Sequence, residues 1–320
     1  MKREKDLWAK ITSTANLAEA LYNASRGKGH YREVRRAMQS PLALVYQLHE
    51  LLESGSFNNS KYHVFKRKCS RKIRLISRLP FYPDRIVHHA VVRVLEPIFM
   101  SMFIDQTYST IPGRGVHLAV SHIKKSLLKK EDTRYCLKID INKYYPSINH
   151  DILLSQIKRK IKDRRTLALI EEIIRSAPGV PIGNLISQWF GNIYTAGFDR
   201  FVKETLKCKY YYRYCDDMIF LSSNKETLRS WLYMIRKYLY DELKLSIKGN
   251  YQIFLIDKRG IDFLGYRFFP GYTLVRKSII TSMKRKLHKE RSMASYYGWL
   301  IHADSFRLRQ KYFKDKPYAA

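Results

Sequence analysis

The run Tyr211-Tyr212-Arg213-Tyr214-Cys215-Asp216-Asp217-Met218-Ile219-Phe220-Leu221 constrains this chain more than any other segment. Two adjacent carboxylates sit between two apolar, β-prone stretches with only a short turn between them. That pattern reads as a hairpin holding both acids at its tip. Side-by-side carboxylates repel, so such a tip is favourable mainly when a cation neutralises them. A third acid, Asp140, stands near the end of another β-like run, Cys136-Leu137-Lys138-Ile139-Asp140-Ile141. Three carboxylates at strand ends can hold a pair of Mg2+ ions, which align and neutralise an in-line phosphoryl displacement. An isolated Asp-Asp pair is ordinarily a solvated turn. The apolar flanks and the strand-borne third acid argue against that reading here.

The charge balance points to the same kind of substrate. Sixty Lys and Arg residues against 28 Asp and Glu leave a net charge of +32, a surplus that fits a polyanion, with nucleic acid the first choice. The excess is spread over five runs, at 66–74, 124–130, 158–165, 276–277 and 284–291. Any one run reads as a solvated face, whereas five separated by folded-looking sequence suggest a groove tracked by phosphates. Twenty-four tyrosines offer stacking faces for bases, although many belong to the core. Cys69, Cys136, Cys208 and Cys215 show no metal-ligand or disulfide spacing, which fits a reducing cytoplasm. No run of 18 apolar residues and no signal core follow the N-terminus, so the expectation is a soluble, untargeted chain without a membrane partner.

Length allows one large domain or two to three subdomains. Residues 1 to about 60 read as helical, broken by the basic Gly-containing stretch 26–33, and residues 61–78 read as short strands. Pro83-Asp84-Arg85 starts a helix expected to end near Pro97, and the turn Pro112-Gly113-Arg114-Gly115 precedes a basic helix. A rigid loop at 178–183 leads into a helix expected over about 187–203. Asn224 caps another helix, a β-rich patch covers 253–269, and the last 45 residues look helical and basic.

With these elements placed, the sequence resembles a reverse transcriptase over roughly residues 60–300. The blocks occur in order: Asp140-Ile-Asn-Lys-Tyr-Tyr145-Pro, Pro181-Ile-Gly183-Asn-Leu-Ile-Ser187-Gln188, Tyr214-Cys-Asp216-Asp217 and Phe263-Leu264-Gly265-Tyr266. Each alone is a weak signature; four in sequence form a strong one. The resemblance implies an α+β right-hand polymerase fold. Its parts would be an N-terminal helical extension at 1–60, fingers at 61–134 with part of 152–182, a palm at 135–270 and a helical thumb at 271–320. It implies an RNA-directed DNA polymerase using two Mg2+ ions, with Mn2+ as a substitute, held by Asp140, Asp216, Asp217 and the Ile141 carbonyl. Tyr145 would close under the sugar of the incoming nucleotide and select deoxynucleotides. Lys72, Arg74 and Arg114 would grip the triphosphate, where fixed cations offset developing charge. Pro181 and Gln188 match the floor of the nucleotide pocket, and Phe263, Leu264, Gly265 and Tyr266 the hairpin that positions the primer end.

Among reverse transcriptases, the short length sets an expectation against a group II intron protein. The Val-Thr-Gly signature of retrons is absent, with Ser246-Ile247-Lys248-Gly249 in that region, and a retroviral RNase H domain is not expected. The blocks Arg74-Leu-Ile-Ser, Asp84-Arg-Ile-Val-His-His89, the Pro181 loop and Asp262-Phe-Leu-Gly-Tyr266 resemble the enzymes of diversity-generating retroelements. Those copy an RNA template into adenine-mutagenised cDNA with a small basic accessory protein. The chain departs from that group at Cys215, where Met is common, and at Ser109-Thr110-Ile111-Pro112. These departures leave open the defence-associated prokaryotic reverse transcriptases that act against phage. A decayed, non-catalytic RNA-binding protein is the reading from a different class. Either enzyme class implies template RNA, cDNA and dNTPs as partners, in the cytoplasm of a prokaryote or encoded by a phage.

Overall fold

The computed structural model describes residues 3–69 and 72–313, and the side chains of Cys69 and Lys72 lie outside that description. Helices and antiparallel sheets occur together, as expected for an α+β chain. The residues fall into two compact units that interleave along the sequence: 1–104 with 143–199 and 239–245, and 105–142 with 200–238 and 246–320.

The first unit is mostly helical. Helices Thr14–Ser25 and Pro41–Glu53 turn Leu17, Leu21, Val45 and Leu48 inward, and the basic stretch between them is exposed, as the apolar spacing requires. Helix Ile86–Met100 runs three residues past its expected end. Pro97 sits inside its last turns, and Ile86, Val87, Val91, Leu95 and Phe99 are completely buried. That burial outweighs the single backbone bond the proline removes. Among the described residues, the sheet of this unit is a two-stranded ribbon, β1 (His63–Cys69) and β2 (Lys72–Arg78), with Arg67 directly opposite Arg74.

The expected helix over 187–203 is divided. It runs as Leu185–Tyr194, then Ala196–Arg200, then a wide turn Phe201–Thr205. Leu185–Tyr194 is hydrophobic nearly all round, and Trp189, Phe190, Ile193 and Tyr194 are buried.

The second unit carries two antiparallel sheets. In the first, β3 (Tyr135–Asp140) lies between β5 (Asp217–Ser222) and β6 (Gln252–Leu255), and β4 (Tyr210–Tyr214) flanks β5. β4 and β5 show no polar alternation because both their faces are covered: Tyr211, Met218, Ile219 and Phe220 are all buried. The second sheet is a meander of β7 (Ile261–Phe263), β8 (Tyr266–Phe269) and β9 (Tyr272–Val275). One cluster joins Val120, Ile123 and Leu127 of helix Val116–Leu127 to Ile219 and Leu221 of β5 and to Phe263 and Phe268. The C-terminal helices Lys277–Arg285, Glu290–Ile301 and Phe306–Phe313 bury Met283, Met293, Leu300 and Phe313 together. No described helix is long and apolar enough to cross a membrane.

Candidate active site

The register of the second unit sets the three acids. Asp140, last residue of β3, pairs directly with Asp217, first residue of β5, and Tyr214 pairs with Asp217 on the other side. The link from β4 to β5 is therefore the two residues Cys215 and Asp216, so both acids sit at the hairpin tip as the sequence predicts. Cys215 adopts a left-handed φ of 54°, a conformation where hairpins of this length favour Gly. Two contacts hold it there. Its Sγ shares a 2.8 Å hydrogen bond with Ser109 Oγ, and its carbonyl accepts from Arg213 Nη1 at 3.3 Å. The Arg213 side chain is fully buried beneath the turn.

Bringing three carboxylates together in a half-buried place has an electrostatic cost. Burial, and then the nearby Asp140 charge, pushes the Asp216 carboxyl up to about 6. Asp217 is also pushed up to about 6 by burial; Lys138 opposes the shift and Asp140 adds to it. Two lysines answer the charge. Lys248 Nζ donates to Asp140 Oδ1 at 2.6 Å, and Lys138 Nζ lies 3.4 Å from Asp217 Oδ2.

Asp217 Oδ1 is buried with no hydrogen-bond partner, which is costly for a carboxylate oxygen unless a cation completes its surroundings. As they stand, no three His, Cys, Asp or Glu side chains among the described residues converge into a metal cage. The donor set nonetheless suits a hard divalent ion: all ligands are oxygens, two acids resist ionisation, and one buried oxygen is orphaned.

Neither lysine was named as a site residue from the sequence. Lys138 precedes Asp140 by two positions and so shares its strand face, a signal the period of two could have given. Lys248 reaches Asp140 only because residues 246–248 pair alongside the end of β3, with Lys248 N–H donating to Asp140 O at 2.9 Å. No local pattern announces that pairing.

The expected primer-grip hairpin is built in the same unit. Phe263 pairs with Tyr266, so Leu264 and Gly265 form a two-residue loop, both with positive φ (52° and 83°). Gly265 is required twice over, because a Cβ there would lie 2.5 Å from the Trp299 ring. Phe263 and Tyr266 are fully buried, and Tyr266 Oη donates to Trp299 O at 3.1 Å. Arg114 also belongs to this unit, in the loop before helix Val116–Leu127, with Nη2 3.4 Å from Asp105 Oδ1.

The first unit assembles the other expected nucleotide-binding residues except the Lys72 side chain, which lies outside the described residues. Tyr145 opens a short turn, Tyr145–Ser147, and its ring rests on helix Leu185–Tyr194, where a Cβ on Gly191 would come within 3.1 Å of it. Tyr144 secures the same helix by donating from Oη to Gly191 O at 2.5 Å. The Pro181 loop is tied at both ends. Val180 N–H donates to Tyr145 O at 2.9 Å, and Ser77 N–H of β2 donates to Ile182 O at 2.8 Å. Gln188 is exposed one turn before Gly191, on the helix face that meets Tyr145. Arg74, also exposed, lies three residues before Ser77 on β2. Tyr145, Pro181 and Gln188 thus share one framework, with Arg74 on the strand that anchors it.

Comparison with known proteins identifies the family. The chain is 30% identical over 214 residues to Protein YkfC of Escherichia coli, covering 61% of this chain and 56% of that protein. It is 29% identical over 155 residues to the group II intron-encoded protein LtrA of Lactococcus lactis, covering 45% of this chain and 25% of that one. The chain therefore spans little more than half of the first relative's length and a quarter of the second's, and the second is of the intron-encoded kind that length had set aside. Among solved structures, a telomerase from Candida tropicalis with a TWJ fragment of telomeric RNA superposes at a TM-score of 0.52, with 12% identity, covering 85% of this chain and 58% of that one. At that identity the likeness concerns the fold alone, which is the right-hand polymerase class. Residues 64–268, carrying all three acids and both hairpin loops, match the family model "Reverse transcriptase (RNA-dependent DNA polymerase)", and the chain belongs to that family.

Proposed function

We propose that this chain copies RNA into DNA by metal-dependent nucleotidyl transfer. The observation that carries the reading is the direct pairing of Asp140 with Asp217 beside Asp216, three acids held against their own repulsion. Asp140, Asp216, Asp217 and the Ile141 carbonyl would hold two Mg2+ ions, or Mn2+ in their place. Bound there, such ions neutralise charge on the phosphates and on the attacking oxygen. Lys248 and Lys138 hold the acids in position by direct ion pairing. Tyr145, fixed against helix Leu185–Tyr194, would exclude a 2′-hydroxyl by the bulk of its ring. Lys72, Arg74 and Arg114 would grip the triphosphate, Pro181 and Gln188 would form the pocket floor, and the Phe263–Tyr266 hairpin would hold the primer end. The division into N-terminal extension, fingers, palm and thumb is part of the same proposal.

Within this reading we place the chain with the diversity-generating enzymes, which would add a small basic accessory protein as partner. One observation favours the phage-defence alternative. The two departures from the diversity-generating pattern meet in space, as Ser109 Oγ touches Cys215 Sγ at the catalytic turn. A paired change at that place fits a separate class better than scattered drift.

Primer extension on a mixed-sequence RNA tests both levels. Mg2+-dependent incorporation of dNTPs is expected, and Tyr145→Ala is expected to admit ribonucleotides. RNA binding without any extension would leave the decayed RNA-binding protein instead. Sequencing of the cDNA separates the two classes: errors concentrated opposite template adenine support diversity generation, and errors spread over all four bases support defence.

A further inference from the structure

We propose that a cleft in the second unit, between β3 and β6 on one side and the β7–β8 hairpin on the other, is a phosphate-binding site. Its volume is about 290 Å3, at the small end of ligand pockets and suited to a phosphate group or part of one nucleotide. Its polar lining comes from Lys138, Asp140, Asn250, Gln252, Arg259, Asp262 and Arg267.

Charge pairing leaves this cleft positive. Both lining carboxylates are neutralised by groups outside the lining. Lys248 holds Asp140 at 2.6 Å, and Arg276 Nη2 holds Asp262 at 2.5 Å. Lys138 is committed as well, donating to Asp262 O at 2.5 Å besides facing Asp217. Arg259 and Arg267, by contrast, have no carboxylate partner among the described residues.

The residue after Arg259 packs against the Arg267 stem. Gly260 follows Arg259 with φ +70°, and a Cβ on it would come 2.8 Å from Arg267 Cγ. Stacking of the Arg259 guanidinium over Phe254, 5.0 Å from the ring centre, fixes its plane. Both exposed arginines line this one cleft, so an anion with several oxygens would bridge their like charges, and phosphate fits guanidinium forks with paired hydrogen bonds. The Gln252 amide adds a neutral donor. The phosphate is either a diester of a nucleic-acid strand or a free phosphate. Only the first of these sources rests on the polymerase reading.

The test compares the full chain with an Arg259→Gln/Arg267→Gln variant, without divalent ions, so that binding alone is read. Lys225→Gln/Lys237→Gln, which removes the same charge from exposed positions of the same unit outside the five basic runs, is the control, and thermal melting checks that each variant folds. One arm titrates inorganic pyrophosphate by calorimetry. The other follows a labelled RNA–DNA hybrid by anisotropy across a salt series. The arginine variant is expected to bind at least one of these probes about tenfold more weakly, with the salt slope for the hybrid reduced by about 1 to 2. Loss for the hybrid alone assigns the site to a strand, and loss for pyrophosphate as well assigns it to phosphate from either source. Unchanged binding in both arms, or equal losses in the control, overturns the proposal. A chain that fails primer extension yet binds pyrophosphate through these arginines would sink the polymerase reading and leave this site standing.

Discussion

Two hairpins of the second unit use the same loop for opposite ends. Cys215-Asp216 between β4 and β5 and Leu264-Gly265 between β7 and β8 are both two-residue links, and each opens on a non-glycine residue with φ near +50°. Left-handed backbone costs about 1–2 kcal/mol for an ordinary L-residue, so the surroundings must enforce both turns. In the first, enforcement is polar, through Ser109 on the thiol and buried Arg213 on the carbonyl, and the second loop position carries a carboxylate. In the second, enforcement is packing. Trp299 and Ile279 close over Gly265, and Leu264 packs against the core. One loop spends its free position on a charge and the other on the absence of a side chain. The first turn carries the charge and the second holds a platform.

The largest effect expected from breaking this comparison is on chemistry. Asp216→Asn keeps the shape of the first loop and removes its charge, so primer extension should fall at least about a thousandfold while the fold persists. Near wild-type extension with a native circular dichroism spectrum would show that the loop does not carry the chemistry. Gly265→Ala should do the reverse. A Cβ within 2.5 Å of Trp299 at a positive φ should cost about 3 kcal/mol or more of stability, read by denaturant unfolding. An unaltered midpoint would mean that the platform yields easily.

The third effect is pH-dependent. Asp216 and Asp217 ionise near 6 in the folded chain but near 4 when unfolded, so the folded state holds more protons between those values. Metal-free stability should therefore fall as pH rises from about 4 to about 6 and stay lower above it. Asp217 keeps about a third of its side chain exposed, so solvent screening limits the effect to the order of 1 kcal/mol. Asp217→Asn should flatten this slope, and Mg2+ should raise the melting temperature at neutral pH in the wild type more than in the variant. A melting temperature that climbs from pH 4 to 6 in the metal-free wild type would contradict the shifts. The smallest effect separates the two strained residues. Cys215→Gly should gain up to about 1 kcal/mol by relaxing its φ, whereas Leu264→Gly should gain nothing, because it also loses buried packing. Equal gains in the two melting curves would erase the distinction between polar and packed enforcement.

Much of this was legible in the sequence because it is local. The tip position of Asp216 and Asp217, the strand bearing Asp140, the Asn224 cap and the helical extension follow from period-two and period-3.6 patterns and from turn chemistry over a few residues. Asn224 Oδ1, for instance, accepts from Glu226 N–H at 2.8 Å, as a cap should. The ordered family blocks supplied the rest of the candidate site. What failed locally failed for stated causes: Pro97 stays within its helix because burial of Phe99 and Leu95 outweighs one lost bond, and Thr195 divides a helix that hydrophobicity alone would continue.

The sequence by itself determined the elements, the charge and the three acids, since these depend on residue type and short-range spacing. Only tertiary structure decided what faces those acids. Lys248 reaches Asp140 across 108 positions, Ser109 reaches Cys215 across 106, and Trp299 closes over Gly265 from a separate helix. Such pairings are set by strand register and by which faces pack, and those are properties of the whole folded chain that no window of sequence contains.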